Sequence, residues 1–452
     1  MAQKFRPVKC VLFDMDGLLL DTENLYTAGT QKVLSEYGKE FTWEFKSNLM
    51  GKRTDEVARM MIDHYELPLE PQEWIQKSSD AYKELFPTVK AMPGVHKLTH
   101  HLAKHKIPIA VATSSSSSSF ELKTGHHSGL FSLFDLIVKG DHPEVRRAKP
   151  EPDIFFVAAD KLSGALCAED CLVVEDSPLG VQAGVSAGMQ VLMVPHPELN
   201  PDRTNQATLK VQSLQHFNPQ NFGLPAYPFK PVTHVIFDMD GLLLNTQNIY
   251  SAASAKILEK HGKQSDWNFK MKVIGRCAKE VAEMAVEHYD LPYTGEQYLR
   301  MHQEETHAVF PTCDLLPGVE DLLRHLKSRN IPIAVATSSR RDVMEIKTSA
   351  KHSEIFSLFN HIVTGCDPEV SKLKPDPEIY DVCRRRFKGC PEAGSCLVFE
   401  DAPNGVDAAL AAGMQVVMIP HHKVSKDFLL PATQLLASME DFVPQDFNLP
   451  PY

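Results

Sequence analysis

Positive charge is in short supply in this chain. Across 452 residues, 47 Lys and Arg stand against 58 Asp and Glu, a formal net charge of −11. A nucleic-acid binder would carry a basic stripe, so no nucleic-acid partner is expected. An anionic small substrate stays open, because charge at a site matters more than the total. Apolar runs long enough to span a membrane are missing too, and no membrane partner is expected. The basic start MAQKFRPVKC runs straight into Asp14 and Asp16, which a secretory signal would not tolerate. The nine cysteines form no CxxC pair and no zinc spacing, so reduced thiols in a cytoplasmic protein are the expectation. THHLAKH (Thr99–His105) invites a metal reading, but no acidic or Cys ligands cluster beside it, and it reads as a helix surface.

What is present is an ordinary globular composition, 43% hydrophobic and 23% charged, long enough for several domains. It is also written twice. VLFDMDGLLLDT (Val11–Thr22) returns as VIFDMDGLLLNT (Val235–Thr246), and FPTVKAMPGV (Phe86–Val95) as FPTCDLLPGV (Phe310–Val319). IPIAVATSS (Ile107–Ser115) returns unchanged at Ile331–Ser339, and all three pairs lie 224 positions apart. KPEPDIF (Lys149–Phe155) matches KPDPEIY (Lys374–Tyr380), and CLVVEDSPLGV (Cys171–Val181) matches CLVFEDAPNGV (Cys396–Val406), both 225 apart. Both copies end alike, in PQNFGLPAY (Pro219–Tyr227) and PQDFNLPPY (Pro444–Tyr452). The period is far too long for a solenoid. The expectation is one domain duplicated, residues 1–228 and 229–452. The copies could pack as an internal pseudo-dimer.

Within each copy, short apolar runs end in polar or acidic residues: VKCVLFDMD, IPIAVATSS, FDLIVKGD, CLVVEDS and MQVLMVP in the first. Each has the length of a buried strand, with helical patterns between them. That alternation predicts an α/β fold on a mainly parallel sheet, with ligands at the carboxyl ends of the strands. From about residue 22 to 92 the alternation stops. Tyr26, Val33, Leu34 and Tyr37, then Val57, Met60, Met61 and His64, then Trp74, Ala81, Tyr82 and Leu85 keep helical spacing. This predicts a small helical cap inserted after the first strand, matched at about 246 to 316. The serine run after Thr113 reads as a loop leading into a helix in which only Thr113 and Ser114 need be special. The Asp21-to-Asn245 change sits where the chain enters the cap, a helix N-cap position that either residue would fill.

Acidic residues gather at the predicted strand ends. Asp14 and Asp16 sit two apart, and Gly17 permits a tight turn after them. One carboxylate can act as a nucleophile and its neighbour as acid and base. Two such close anions call for a hard divalent cation with oxygen ligands, such as Mg²⁺. Glu175 and Asp176 could complete a metal shell, and Thr113 could donate to a phosphoryl oxygen. Lys149 beside a metal favours a phosphoryl group. Singly, each motif has a plain explanation as a turn, a loop or a helix cap. Four of them in order, each at a strand end and each repeated, do not.

The series FDMDGLLLDT, ATSS, KPEPDIF and VVEDSPLGVQAGVSAGM resembles the haloacid dehalogenase-like hydrolase superfamily along both copies. The resemblance implies two tandem Rossmann-like parallel-sheet domains with helical caps. It implies Asp14 as the nucleophile that becomes an aspartyl-phosphate and Asp16 as general acid and base. Thr113, Ser114 and Lys149 would hold the phosphoryl group. Asp14, the backbone carbonyl of Asp16, and Asp176 would bind Mg²⁺, with Glu175 in support. In the second copy the same roles fall to Asp238, Asp240, Thr337, Ser338, Lys374, Asp401 and Glu400. The second aspartate, which the dehalogenase branch lacks, favours a phosphatase acting on a small phosphorylated metabolite. A phosphosugar mutase of the same superfamily uses the same aspartates, and one copy could be a non-catalytic partner. Differences that could tune the copies are Ser177 against Ala402, Leu179 against Asn404, Lys52 against Arg276 and Arg53 against Cys277.

Overall fold

The computed structural model describes residues 5–49, 54–163, 167–266, 269–270, 273, 278–422 and 424–452. Lys52, Arg53, Arg276 and Cys277, the cap positions singled out above, lie outside them. The chain divides into two compact units, Met1–Tyr227 and Pro228–Tyr452.

Unit 1 is built on six strands: β1 (Cys10–Phe13), β2 (Ile109–Ala112), β3 (Leu136–Val138), β4 (Cys171–Glu175), β5 (Gln190–Met193) and β6 (Leu209–Lys210). They pair in the order β3-β2-β1-β4-β5-β6, every pair parallel. Unit 2 repeats the sheet with β7 (His234–Phe237), β8 (Ile333–Thr337), β9 (His361–Thr364), β10 (Cys396–Glu400), β11 (Gln415–Met418) and β12 (Gln434–Leu435) in the order β12-β11-β10-β7-β8-β9. The short apolar runs of the sequence are these strands. Buried on both faces, they are continuously apolar instead of alternating. The two-residue edge strands β6 and β12 were too short to show in the sequence. Among the described residues no helix is long and apolar enough to cross a membrane.

The strand order places β1 and β4 side by side at the centre, in register from Cys10 with Cys171 to Phe13 with Val174. The acidic turns after both strands therefore open at one edge. The helix Asp153–Ser163 packs on β2 and β3 through Ile154, Phe155 and Ala158. The cap of unit 1 is helical, with Thr22–Ser35, Trp43–Leu49, Thr54–Tyr65 and Pro71–Leu85 closing over a core of its own (Val33, Leu34, Met61, Trp74). The corresponding core in unit 2 contains Leu258, Ala282, Ala285 and Tyr298. Its helix Gly295–His307 opens with a reciprocal cap: Thr294 Oγ1 accepts from the Gln297 N–H at 3.2 Å, and Gln297 Oε1 accepts from the Thr294 N–H at 2.8 Å.

Two local expectations are corrected. Asp21 precedes the first cap helix but makes no side-chain cap; its carboxylate accepts from the Asn24 amide at 3.0 and 3.1 Å. Asn245 repeats that contact with Asn248 at 3.3 Å, so the Asp-to-Asn exchange keeps a side-chain pair rather than a helix cap. THHLAKH is not a helix surface. His100 and His101 are buried, and His101 Nε2 lies 2.9 Å from the Pro225 carbonyl of the tail that closes unit 1.

Candidate active site

Asp14 follows β1 and Glu175 ends β4. Lys149 comes from the loop before the helix Asp153–Ser163. The three side chains meet in the interior: Lys149 Nζ donates to Asp14 Oδ1 at 2.5 Å, to Glu175 Oε1 at 2.6 Å and to the Ala112 carbonyl at 3.1 Å. Unit 2 repeats the geometry, with Lys374 Nζ 2.5 Å from Asp238 Oδ1 and 2.6 Å from Glu400 Oε1. The far oxygen of Glu175 accepts from the backbone N–H groups of Asp176 and Ser177 at 3.1 and 3.2 Å. Glu175 is thus committed to the lysine and the turn, while Asp14 and Asp176 keep oxygens for another partner.

Asp14, Glu175 and Asp176 bring ligand oxygens within 4.8 Å of one another, as do Asp238, Glu400 and Asp401. In each cluster three carboxylates face one ammonium. Burial and neighbouring carboxylates push the Asp14 carboxyl up to about 7 even though Lys149 opposes the shift, and Asp238 behaves identically. Burial, Glu175 and Asp14 push Asp176 well above the usual carboxylate range. Burial alone would lower Lys149, but Asp14 and Glu175 outweigh it and raise it above its ordinary value. With all three carboxylates ionised the cluster carries a surplus of two negative charges on oxygen donors, which a hard divalent cation neutralises, so the residues fit one. The backbone makes room at the same point. Gly17 has φ 81°, and a Cβ there would stand 2.2 Å from Asp176 Oδ2. Gly241, at φ 85°, repeats this against Asp401 at 2.1 Å. Only glycine fits that turn.

Asp16 serves a different set of partners. Its Oδ2 accepts from Ser115 Oγ at 2.7 Å and from Thr113 Oγ1 at 3.5 Å. Its Oδ1 accepts from Lys123 Nζ at 2.5 Å. Burial would raise this carboxyl, but Lys123 and the Ser115 hydrogen bond hold it below the usual range, and Lys347 and Ser339 do the same for Asp240. Lys123 and Lys347 belong to none of the four sequence motifs, and Ser115 and Ser339 end the motif ATSS with no role implied by the resemblance. The signal was there: in TSSSSSSFELKT (Thr113–Thr124) against TSSRRDVMEIKT (Thr337–Thr348), the serine run diverges while Lys123 and Lys347 match, as do Glu121 and Glu345 and Thr124 and Thr348. Ser114 is exposed, whereas its counterpart Ser338 has a buried hydroxyl with no protein partner, facing the cavity described below. Thr113 and Thr337 are buried, each accepting from the N–H two residues on at 3.1 Å.

The differences after Asp176 and Asp401 turn out to be exchanges of partners. Ser177 Oγ accepts from the Gly180 N–H at 3.1 Å, capping the helix Pro178–Ser186. Ala402 cannot do this, and Asn404 Oδ1 accepts from the equivalent Gly405 N–H at 3.0 Å instead. Ser177 also donates to Glu175 Oε2 at 3.1 Å, whereas Glu400 accepts from the hydroxyl of Tyr380, which stands where unit 1 has Phe155.

In unit 2 a cavity of about 750 Å³ runs from Asp238, Asp240 and Lys374 into the cap, where Phe269, Tyr289 and Tyr298 line it. Ala285 and Tyr298 on its wall occupy the places of Met61 and Trp74, which are buried in the cap core of unit 1.

A model of the haloacid dehalogenase-like hydrolases matches residues 11–194 and again 235–419. The chain is 47% identical over 224 residues to a probable pseudouridine-5′-phosphatase of Drosophila melanogaster, covering 49% of this chain and 96% of that protein. It is 42% identical over 224 residues to the mitochondrial (DL)-glycerol-3-phosphatase 1 of Arabidopsis thaliana, covering 49% of this chain and 75% of that one. Among solved structures, a β-phosphoglucomutase from Clostridium difficile matches at 23% identity and a TM-score of 0.40, over 48% of this chain and 97% of that one.

Proposed function

Because the chain belongs to the haloacid dehalogenase-like hydrolases and is a phosphatase built twice over, we propose that each unit is a Mg²⁺-dependent phosphomonoesterase working through an aspartyl-phosphate. Asp14 attacks phosphorus while Asp16 protonates the leaving oxygen; Asp16 then takes a proton from the water that hydrolyses the intermediate. Lys149, Thr113 and Ser114 hold the phosphoryl oxygens. Asp238, Asp240, Lys374, Thr337 and Ser338 do the same in unit 2. Asp14, Asp176 and the Asp16 carbonyl would hold Mg²⁺, whose chemistry there is to neutralise charge on the phosphoryl group; Asp238, Asp401 and the Asp240 carbonyl are the second set. The observation that carries the reading is the Asp–Lys–Glu cluster, closed at the same distances in both units.

Pseudouridine 5′-phosphate is the proposed substrate, in keeping with the relative at 47% identity. Phosphate release from it should require Mg²⁺ and fall to the uncatalysed level in excess EDTA. Isomerisation of a sugar phosphate with no free phosphate would instead establish a mutase. Activity that survives the chelator would refute the metal assignment.

The cap of unit 2 gives this substrate its room. With unit 1 silenced by Asp14→Asn, Ala285→Met should restore the bulk found in cap 1. KM for pseudouridine 5′-phosphate should rise roughly tenfold, the scale of one or two methylenes in an apolar pocket, with kcat/KM for glycerol 3-phosphate little changed. Equal effects on both esters would show that the cavity does not seat the leaving group.

A further inference from the structure

Lys123 is a buried cation in a place where the phosphatase reading assigns no cation. Its side chain is 0% exposed, and its three donors are all placed: Asp16 Oδ1 at 2.5 Å, Tyr26 Oη at 2.7 Å and Ser115 Oγ at 2.8 Å. The ammonium also lies 4.9 Å from the ring centres of both Tyr26 and Phe86. Lys347 repeats the arrangement with Asp240 at 2.6 Å, Tyr250 at 2.8 Å and Ser339 at 3.0 Å, beside the rings of Tyr250 and Phe310. Burying a lysine is costly unless it is paired. Both units bear that cost at the same place, although the first turn of the helix carrying the lysine has diverged in sequence.

The residues of this cluster come from four parts of each unit. Asp16 belongs to the turn after β1 and Lys123 to the core helix Ser117–Thr124. Tyr26 lies on the first cap helix, and Phe86 lies where the cap returns to the core. The lysine therefore joins the aspartate that handles protons to both ends of the cap.

We propose that Lys123 and Lys347 are positioning residues that aim Asp16 and Asp240 at the leaving oxygen and tie that aim to the seating of the cap through Tyr26 and Tyr250. The inference rests on the phosphatase reading above. In the step concerned, an Asp14 oxygen forms a bond to phosphorus as the bond from phosphorus to the leaving oxygen breaks. Asp16, which rests as a carboxylate on Lys123 and Ser115, first takes up a proton from solvent; that proton passes to the leaving oxygen, giving an alcohol and returning Asp16 to the carboxylate that Lys123 holds. A misaimed Asp16 fails at this transfer alone.

That selectivity supplies the test. In the full chain with unit 2 silenced by Asp238→Asn, kcat/KM is measured with Mg²⁺ on two esters. Pseudouridine 5′-phosphate has an alkoxide leaving group that needs the proton; p-nitrophenyl phosphate departs as a stable phenolate and does not. Lys123→Met keeps length and apolar contact in the aromatic cage. It should lower kcat/KM on the alkyl ester about 100-fold, the usual worth of a positioned general acid, and on the aryl ester by less than about threefold. Tyr26→Phe keeps the ring and removes one acceptor, and should cost roughly three- to tenfold on the alkyl ester only. The mirror variants, Lys347→Met and Tyr250→Phe over Asp14→Asn, should behave alike. Equal losses on both esters, or undiminished alkyl activity, would overturn the inference. Should Lys123→Met not fold, Tyr26→Phe decides by the same comparison. If the parent chains release phosphate from neither ester, the phosphatase reading itself has failed.

Discussion

A chain carrying both Asp14→Asn and Asp238→Asn should lose phosphatase activity by roughly 10⁴-fold or more, the order of loss when a covalent nucleophile is removed. Each single variant should keep the share contributed by the other unit. The expectation follows from how alike the two sites are. Each aspartate sits at the end of the central strand, 2.5 Å from a lysine that is itself 2.6 Å from a glutamate. Asparagine has nearly the same shape, and its carbonyl can still accept from that lysine, so the fold is kept while the nucleophile is lost. Phosphate release from pseudouridine 5′-phosphate checks this directly. If one single variant were as dead as the double, the other unit would be a silent or dependent partner.

Much of this was legible in the sequence, and for a physical reason. A parallel sheet buries its strands on both faces, so β1, β2, β4 and β5 read as short apolar runs, and their acidic ends mark the edge where a site can form. The helical spacing of the cap was equally plain. What the sequence hid was partnership. Asp14 and Asp16 looked like one pair, yet one faces Lys149 and Glu175 while the other faces Lys123 and Ser115. Lys123 carries no motif, and its role depends on a fold that brings residues 16, 26, 86, 115 and 123 together. Only the match of Lys123 to Lys347 past a diverged serine run pointed to it. Asp21 was misread because a side-chain pair three residues away and a helix cap look the same in sequence.

The duplication makes the compensations visible. Ser177 became Ala402, which removes a helix cap and a hydrogen bond to the buried glutamate. Asn404, inside the helix, accepts from the freed Gly405 N–H, and Tyr380 donates to the other oxygen of the glutamate. Taken one at a time, these changes looked like tuning of the active site. Together they keep the glutamate that holds Lys374 fully hydrogen-bonded, with donors on both its oxygens. Drift that keeps the same charge cluster in place is what two working sites would show.

That cluster should also be the point at which each unit is easiest to unfold. Lys149→Met removes the only ammonium facing Asp14, Glu175 and Asp176 among the described residues. Breaking a buried ion pair by deleting one partner costs about 3–5 kcal/mol. Lys149 has a folded pKa above its unfolded one, so its contribution is fully present at neutral pH and is all lost in the variant. The carboxylates set the pH dependence. Asp14 is already raised to about 7 and Asp176 is raised as well. Groups raised in this way stabilise the fold below their unfolded pKa, and that contribution is lost as pH climbs through the folded value. Without Lys149 to oppose the rise, the folded values move further up and the loss with pH becomes larger. The variant should therefore approach the parent near pH 5 and fall furthest below it near pH 8. Hydrogen exchange of the β1 and β4 amides in EDTA reads this in unit 1, with β7 and β10 as the internal reference. Equal protection of parent and variant at pH 8 would mean that the three carboxylates are not charged together in the folded chain. Mg²⁺ should then rescue the variant at pH 8 more than at pH 5, because the cation binds the ionised oxygens and competes with protons for them.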